Sequence, residues 1–256
     1  MTQTPLKDLP KTPIVYPEPD GVPMAESDPA RDYLIYGVEA LRQYFWPRSD
    51  IYVSGNLWLS YEQGVPDAVV CPDVFVVFGV ENRPRTSYRV WQENHKMPDW
   101  VMEITSAKTR HKDDNDKPIT YAQMGVPEYF HYDPTGDYLN PPLKGRRLQA
   151  DGSYRLLTPK PIPDGGFALT STVLGLEFHL LKTGLLRFFD PEQGEYLRTP
   201  QETEQARQQE YERAEQAQAR AEQEQERTEQ ERARAEQAEA ELQALRDRLR
   251  AQGIDL

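Results

Sequence analysis

The chain is poor in cysteine, with Cys71 alone in 256 residues. No intramolecular disulfide is open to it, and a reducing, cytoplasmic setting is the expectation. It also lacks any apolar run near the ~18 residues needed to span a bilayer, so no membrane span is expected. Residues 1–20 have neither an apolar core nor a small-residue cleavage site, so they do not read as a signal peptide. Histidine is scarce: His95, His111, His131 and His179 form no pair at metal-ligand spacing. With no Cys/His cluster either, zinc is not expected. Neither a phosphate-cradling glycine loop nor a nucleophile elbow is present. Positive charge is in deficit too, with 30 Lys+Arg against 42 Asp+Glu and a net charge of −12. That excludes the usual basic, nonspecific nucleic-acid binder. Half of the deficit lies in residues 200–256, with 15 acidic and 9 basic residues. The other 199 residues hold 27 and 21, so the body of the protein is only mildly acidic.

What is present falls into three materials. Residues 1–30 hold seven prolines and read as an extended arm. Residues 31–198 read as one folded domain. Tyr33, Leu34, Val38, Leu41, Tyr44 and Phe45 recur at helical spacing and predict an amphipathic helix over 30–46, started near Asp28-Pro29 and ended by Pro47. Strand-like runs follow at 51–53, 57–61, 68–78 and 100–106. A charged stretch, 107–117, leads to a short helix over 118–124 that Gly125 stops. A strand at 128–132 and short runs at 155–157, 173–180 and 185–189 complete an α/β or α+β core. Residues 199–256 are almost wholly Glu, Gln, Ala and Arg, a composition that favours helix. Ala235, Ala238, Leu242, Leu245 and Leu249 follow a heptad, but the same register meets Thr228 and Glu224 upstream. Both a solitary solvated helix and a coiled-coil homodimer fit that pattern.

The chemistry is carried by acids inside apolar runs. Glu103 stands within Trp100-Val101-Met102-Glu103-Ile104-Thr105. In a strand it shares a face with Val101 and Thr105. Burying a bare carboxylate is costly, so it needs a cation, hydrogen bonds or a raised pKa; the alternative is a solvated sheet face. Asp73 follows Pro72 in the middle of Val69–Val77. A proline there marks an edge or bulge, and bulges re-aim side chains near active sites; an ordinary edge aspartate is the alternative. Lys117 sits at the start of the short helix, beside Lys112, Asp113, Asp114 and Asp116, and either turns toward the strand ends or points to solvent. Two carboxylates and a lysine in this order suit a divalent cation and a phosphodiester substrate, and oxygen donors favour Mg²⁺ or Mn²⁺.

The order of these pieces resembles the PD-(D/E)XK nuclease superfamily and, within it, the Uma-two family of restriction endonucleases. The resemblance covers about residues 20–190. It rests on Asp20-Gly21-Val22-Pro23-Met24-Ala25-Glu26, Gly55-Asn56-Leu57, Pro72-Asp73-Val74-Phe75-Val76-Val77-Phe78-Gly79 and Ser87-Tyr88. It continues through Val101-Met102-Glu103-Ile104-Thr105-Ser106, Lys117 with Tyr121, and Gly125-Val126-Pro127-Glu128-Tyr129-Phe130-His131-Tyr132-Asp133-Pro134. The resemblance implies an αβββαβ restriction-endonuclease-like core with the long helix appended. It implies Asp73, Glu103 and the backbone carbonyl of Ile104 as metal ligands, and Lys117 as the catalytic lysine. Thr105 occupies the place where the parent motif has its lysine. Glu26 resembles the additional N-terminal acid, with Glu39 as its rival. The expected activity is Mg²⁺-dependent hydrolysis of DNA. The competing expectation is a non-catalytic nuclease fold that recruits partners through its C-terminal helix.

Overall fold

The structure, a computed structural model, describes residues 27–106, 109–110 and 112–251. Most of the expected N-terminal arm, including Glu26, lies outside the described residues. Helix α1 (Asp28–Phe45) is capped by Ser27, whose hydroxyl accepts from the Ala30 N–H at 3.4 Å. The cap is thus one residue ahead of the expected Asp28-Pro29, and Pro29 sits in the first turn, where its missing N–H costs nothing. Strands β1 (Ile51–Ser54), β2 (Leu59–Ser60), β3 (Val69–Val70), β4 (Val74–Phe78), β5 (Tyr88–Arg89) and β6 (Trp100–Ile104) follow. Then come α2 (Lys117–Gln123), β7 (Glu128–Tyr132), β8 (Leu143–Leu148) and β9 (Tyr154–Leu156). The rest is β10 (Lys160–Pro161), β11 (Gly166–Thr170), β12 (Glu177–Leu181), β13 (Leu186–Asp190), β14 (Glu195–Tyr196) and α3 (Pro200–Ala251).

The central sheet has the order β1-β4-β6-β7-β8-β9. Its pairs are antiparallel except β6 with β7, which run parallel. A parallel pair cannot close through a hairpin, and α2 is the helix in that crossover. The αβββαβ core is therefore α1, β1, β4, β6, α2 and β7. The class is mixed α+β with a long C-terminal helix, and a five-stranded antiparallel meander, β10 to β14, adds a second sheet.

Alternation along the strands sorts the side chains onto two faces. Val74, Val76, Trp100, Met102, Ile104, Phe130 and Tyr132 face α1 and the second sheet, and Phe178 stacks on Trp100 at 5.3 Å. Phe75, Val77, Val101 and Tyr129 face the other way, against Tyr121 and Met124 of α2 and Leu59 and Tyr88 of a small β3-β2-β5 sheet. Asp73 and Glu103 follow the second set.

The 68–78 run, expected as one strand, is two. Pro72 has no N–H for a ladder, so pairing lapses between β3 and β4 while the Pro72 carbonyl accepts from the Asn56 N–H at 2.9 Å. Gly55 makes this approach possible: a Cβ there would lie 2.1 Å from the Asp73 carbonyl oxygen.

The chain divides into two compact units at Pro200/Gln201. The second is the helix itself. With 52 residues in α3 it is about 78 Å long at 1.5 Å per residue. Gln201–Ala251 bury almost nothing among their described side chains, with Leu242 at 49% and Leu245 at 55% exposure. The helix is supported along its surface by pairs such as Arg227–Glu231 at 3.1 Å and Arg232–Glu236 at 3.0 Å, each worth a few tenths of a kcal/mol, roughly 0.3–0.5. No helix among the described residues is long and apolar enough to cross a membrane.

Candidate active site

The break at Pro72 ends β4 just where β6 still continues, and Asp73 turns its carboxylate into that gap. Its Oδ2 accepts from the Ile104 N–H at 2.7 Å. In return, the Asp73 N–H donates to Glu103 Oε2 at 3.4 Å. The Asp73 carboxylate is thereby tied to the backbone next to Glu103, and the Glu103 carboxylate to the backbone of Asp73, with their carboxyl groups on one face of the sheet. Glu103 is fully buried. Its Oε1 accepts from the Tyr121 hydroxyl at 2.5 Å, and its Oε2 lies 2.8 Å from the Lys117 ammonium.

Lys117 and Tyr121 come from successive turns of α2, the i, i+4 spacing that puts two side chains on one helix face. One turn earlier on the same side lies Asp113, in a wide π-type turn over Lys112–Asp116 that feeds directly into the helix. Asp113 is fully buried and its Oδ1 lies 2.8 Å from the Lys117 ammonium. The Tyr129 hydroxyl donates to the Asp113 carbonyl at 2.7 Å and pins the turn to β7. Lys117 thus points inward and bridges two buried acids.

The charges act on one another. Burial, then the charge of Glu103, holds the Asp73 carboxyl well above the ordinary carboxylate range; Lys117 and the Ile104 N–H offset this only in part. Burial raises Asp113, with Lys117 opposing and Glu103 adding. Burial works against the Lys117 ammonium, but Glu103, Asp113 and Asp73 outweigh it and raise its pKa above that of an ordinary lysine. Burial and the Glu103 charge raise the Tyr121 phenol well above 10, so it is a donor. Glu103 and Asp113 share one ammonium and Asp73 stands beside Glu103, so acids outnumber cations at this largely buried spot.

The structure therefore brings together Asp73, Glu103, Ile104 and Lys117. Glu39 is not among them: it is exposed on α1, on the other side of the sheet, bonded to Arg42 at 3.1 Å. Thr105 is buried and its hydroxyl meets His131 Nε2 on β7. Sequence reasoning missed Asp113, which reads as part of a solvated charge run. Its signal was the spacing Asp113–Lys117–Tyr121, a four-residue period that continues the helix face upstream of its expected start.

Among the described residues, no three His, Cys, Asp or Glu side chains converge as a ligand set on their own. Two carboxylates with a backbone oxygen and solvent remain a fit for a hard cation, since Mg²⁺ keeps several waters and takes only one or two carboxylates. The excess negative charge fits a cation as well.

Comparison with known proteins places this geometry in context. The family model Uma2, described as "Putative restriction endonuclease", matches residues 38–225, a span that contains Asp73, Glu103, Asp113 and Lys117. No curated protein matches the chain. Among solved structures, "a putative nuclease belonging to DUF820 from Anabaena variabilis ATCC 29413" is similar with a TM-score of 0.39 and 15% identity, over 55% of this chain and 75% of that one. With a family model covering well over half of its length, the chain belongs to the Uma2 family.

Proposed function

We propose that the protein is a divalent-cation-dependent endonuclease that hydrolyses DNA phosphodiester bonds in the domain of residues 31–198. The observation that carries this reading is the pairing of Asp73 with Glu103 at the strand ends, beside an ammonium that Glu103 shares with Asp113. Asp73 and Glu103 would hold Mg²⁺ or Mn²⁺. The Ile104 carbonyl would join them, because a strand residue directs its N–H and C=O to the same edge and its N–H already faces Asp73. When bound, the cation supplies Lewis-acid activation of water and neutralises phosphate charge.

The remaining steps belong to the side chains. Lys117 is held as an ammonium, so it orients the attacking water and stabilises developing phosphoryl charge rather than removing a proton. Asp113 gives that ammonium a second partner, which lets Lys117 leave Glu103 Oε2 to a cation without being stranded. Tyr121 fixes the rotamer of Glu103 through Oε1. Glu26, outside the described residues, is the acid we propose from the N-terminal side. The helix of residues 199–256 is proposed as a homodimerisation element.

The test is cleavage of duplex DNA by the full chain in Mg²⁺ or Mn²⁺, stopped by EDTA. Asp73→Ala and Glu103→Ala should each lower the rate by about 10³-fold or more, and the double variant should be little worse than either, because the acids act as one unit. Cleavage retained in Glu103→Ala by folded protein would overturn the reading.

A further inference from the structure

The face that carries Glu103 continues across the sheet. Glu103 on β6 pairs with His131 on β7, and His131 with Lys144 on β8. Arg146 lies two residues on and faces the same way. Gly145 between them faces the apolar side, where an added Cβ would meet Leu157 at 2.8 Å and Phe130 at 3.0 Å. Strands are spaced about 4.8 Å apart, so the Lys144 backbone stands roughly 10 Å from that of Glu103.

Both cations converge on one acid. Asp114 Oδ1 lies 2.7 Å from Arg146 Nη2, and Oδ2 lies 3.2 Å from Lys144 Nζ. Asp114 belongs to the same π-type turn as Asp113, but it points outward and is 37% exposed. Burial opposes its charge, but the bonds from Arg146 and Lys144 outweigh this and keep its carboxyl below the ordinary range. His131 brings no charge: burial, then Arg146, pushes it down to about 3. Two cations therefore face one carboxylate, a local positive excess in an acidic protein. One donor is also unspent: Arg146 Nη1 is buried without a hydrogen-bond partner among the described residues, and the neighbouring His131 Nδ1 likewise has none. The guanidinium lies over the Tyr129 ring, 5.5 Å from its centre, within the range of a cation–π contact.

We propose that Lys144 and Arg146 form a subsite for a flanking backbone phosphate of the DNA, with Asp114 as a placeholder that the phosphate displaces. The proposal rests on the nuclease reading for its substrate. A planar guanidinium beside an ammonium matches the chemistry of a phosphodiester anion. A purely structural network makes the opposite forecast for Asp114, since its removal would then weaken the fold and gain nothing.

The experiment is equilibrium binding of a fluorescent duplex to the full chain in Ca²⁺, across salt concentrations. Lys144→Gln and Arg146→Gln should each weaken binding roughly tenfold and lower the salt slope by about one. Asp114→Asn should tighten binding several-fold, and it keeps the proposal testable if Arg146→Gln fails to fold. Unchanged slopes, or an Asp114→Asn protein that binds no tighter, would overturn the proposal, as would no DNA binding at all. Wild-type cleavage in Mg²⁺ is scored separately. Cleavage with unchanged KM in both cation variants removes the subsite and leaves the nuclease standing. Binding that depends on the pair without any cleavage removes the nuclease and leaves the subsite. Inorganic phosphate is the second probe: thermal stabilisation by phosphate that needs Arg146, with DNA binding indifferent to it, would overturn the DNA assignment in favour of a free phosphate.

Discussion

Two glutamates, Glu103 on β6 and Glu128 on β7, are both fully buried in the same sheet, at opposite ends and on opposite faces. Their surroundings differ in kind. Glu128 Oε1 accepts from Arg147 at 2.8 Å, from the Thr172 N–H at 3.1 Å and from the Thr172 hydroxyl at 3.0 Å, while Oε2 accepts from Ser171 at 2.5 Å. One negative charge meets one positive charge and three neutral donors, and the result clamps the central sheet to the segment between β11 and β12. Glu103 meets one ammonium that it shares with Asp113, and it faces Asp73. A buried carboxylate alone therefore does not mark a site, because a saturated one can be structural. The mark is a local surplus of one sign that the fold leaves uncompensated.

The sharpest way to break this comparison is to neutralise each glutamate in turn. Glu103→Gln keeps an acceptor for Tyr121 and relieves the repulsion with Asp73. It should reduce cleavage by about 10³-fold while changing stability by no more than about 1 kcal/mol. Glu128→Gln should do the reverse. It leaves the Arg147 guanidinium without its counter-charge and should cost about 2–3 kcal/mol, below the usual 3–5 for a buried pair because the Arg147 side chain is partly exposed. Folded Glu128→Gln should cleave at the wild-type rate. Urea denaturation with cleavage rates on the same samples reads both, and matching profiles for the two variants would erase the distinction.

A smaller effect sharpens it. Mg²⁺ at a hundredfold excess over its Kd should stabilise the wild type by about 2.7 kcal/mol, a rise of roughly 5–10 °C in Tm for a domain of this size. Glu128→Gln should keep that increment from its lower starting point, and Glu103→Gln should lose most of it. Calorimetric scans with and without the cation decide the matter; an equal increment in both would place the cation elsewhere.

Much of this contrast could be read in the sequence at the Glu103 end. The helical stripe of α1 and the apolar runs of β6 and β7 are local patterns, and the resemblance picked out Asp73, Glu103 and Lys117, which the fold brings together. Asp113 escaped because a charged residue in a charged stretch looks solvated, and the wide turn that buries it leaves no periodic trace of its own. Glu128 drew attention as part of a motif, but its partners Ser171 and Thr172 lie more than forty residues away, and nothing local in either segment announces the pairing. The second sheet was legible as short strands and not as a separate layer, for the same reason. The break at Pro72 is the converse: proline chemistry foretold an edge or bulge, while the apolar run around it suggested an unbroken strand.

The last expected effect is a pH dependence, and its sign separates an acid raised by its surroundings from one whose charge the fold compensates. The Asp73 pKa in the folded protein is raised well above the 3.8 of an unperturbed carboxyl, by burial and then by Glu103. Between those values the folded chain holds more protons than the unfolded one. The stabilisation from this group is therefore full below 3.8 and is lost as pH rises through the raised value. His131 runs the other way. Its pKa falls from 6.5 to about 3 on folding, so its contribution is present above 6.5 and is lost as pH falls toward 3. Without metal, these slopes oppose each other in the wild type. Asp73→Asn removes the first and leaves the second. The variant should lose stability more steeply toward acid and be the more stable protein near neutrality, by about 1.4 kcal/mol for each unit by which Asp73 is raised. Saturating Mg²⁺ should reverse the wild-type slope, because a cation holds the carboxylates deprotonated and its binding releases protons. Parallel metal-free profiles for wild type and Asp73→Asn would mean that neither burial nor Glu103 raises Asp73, and that this end of the sheet is as balanced as the surroundings of Glu128.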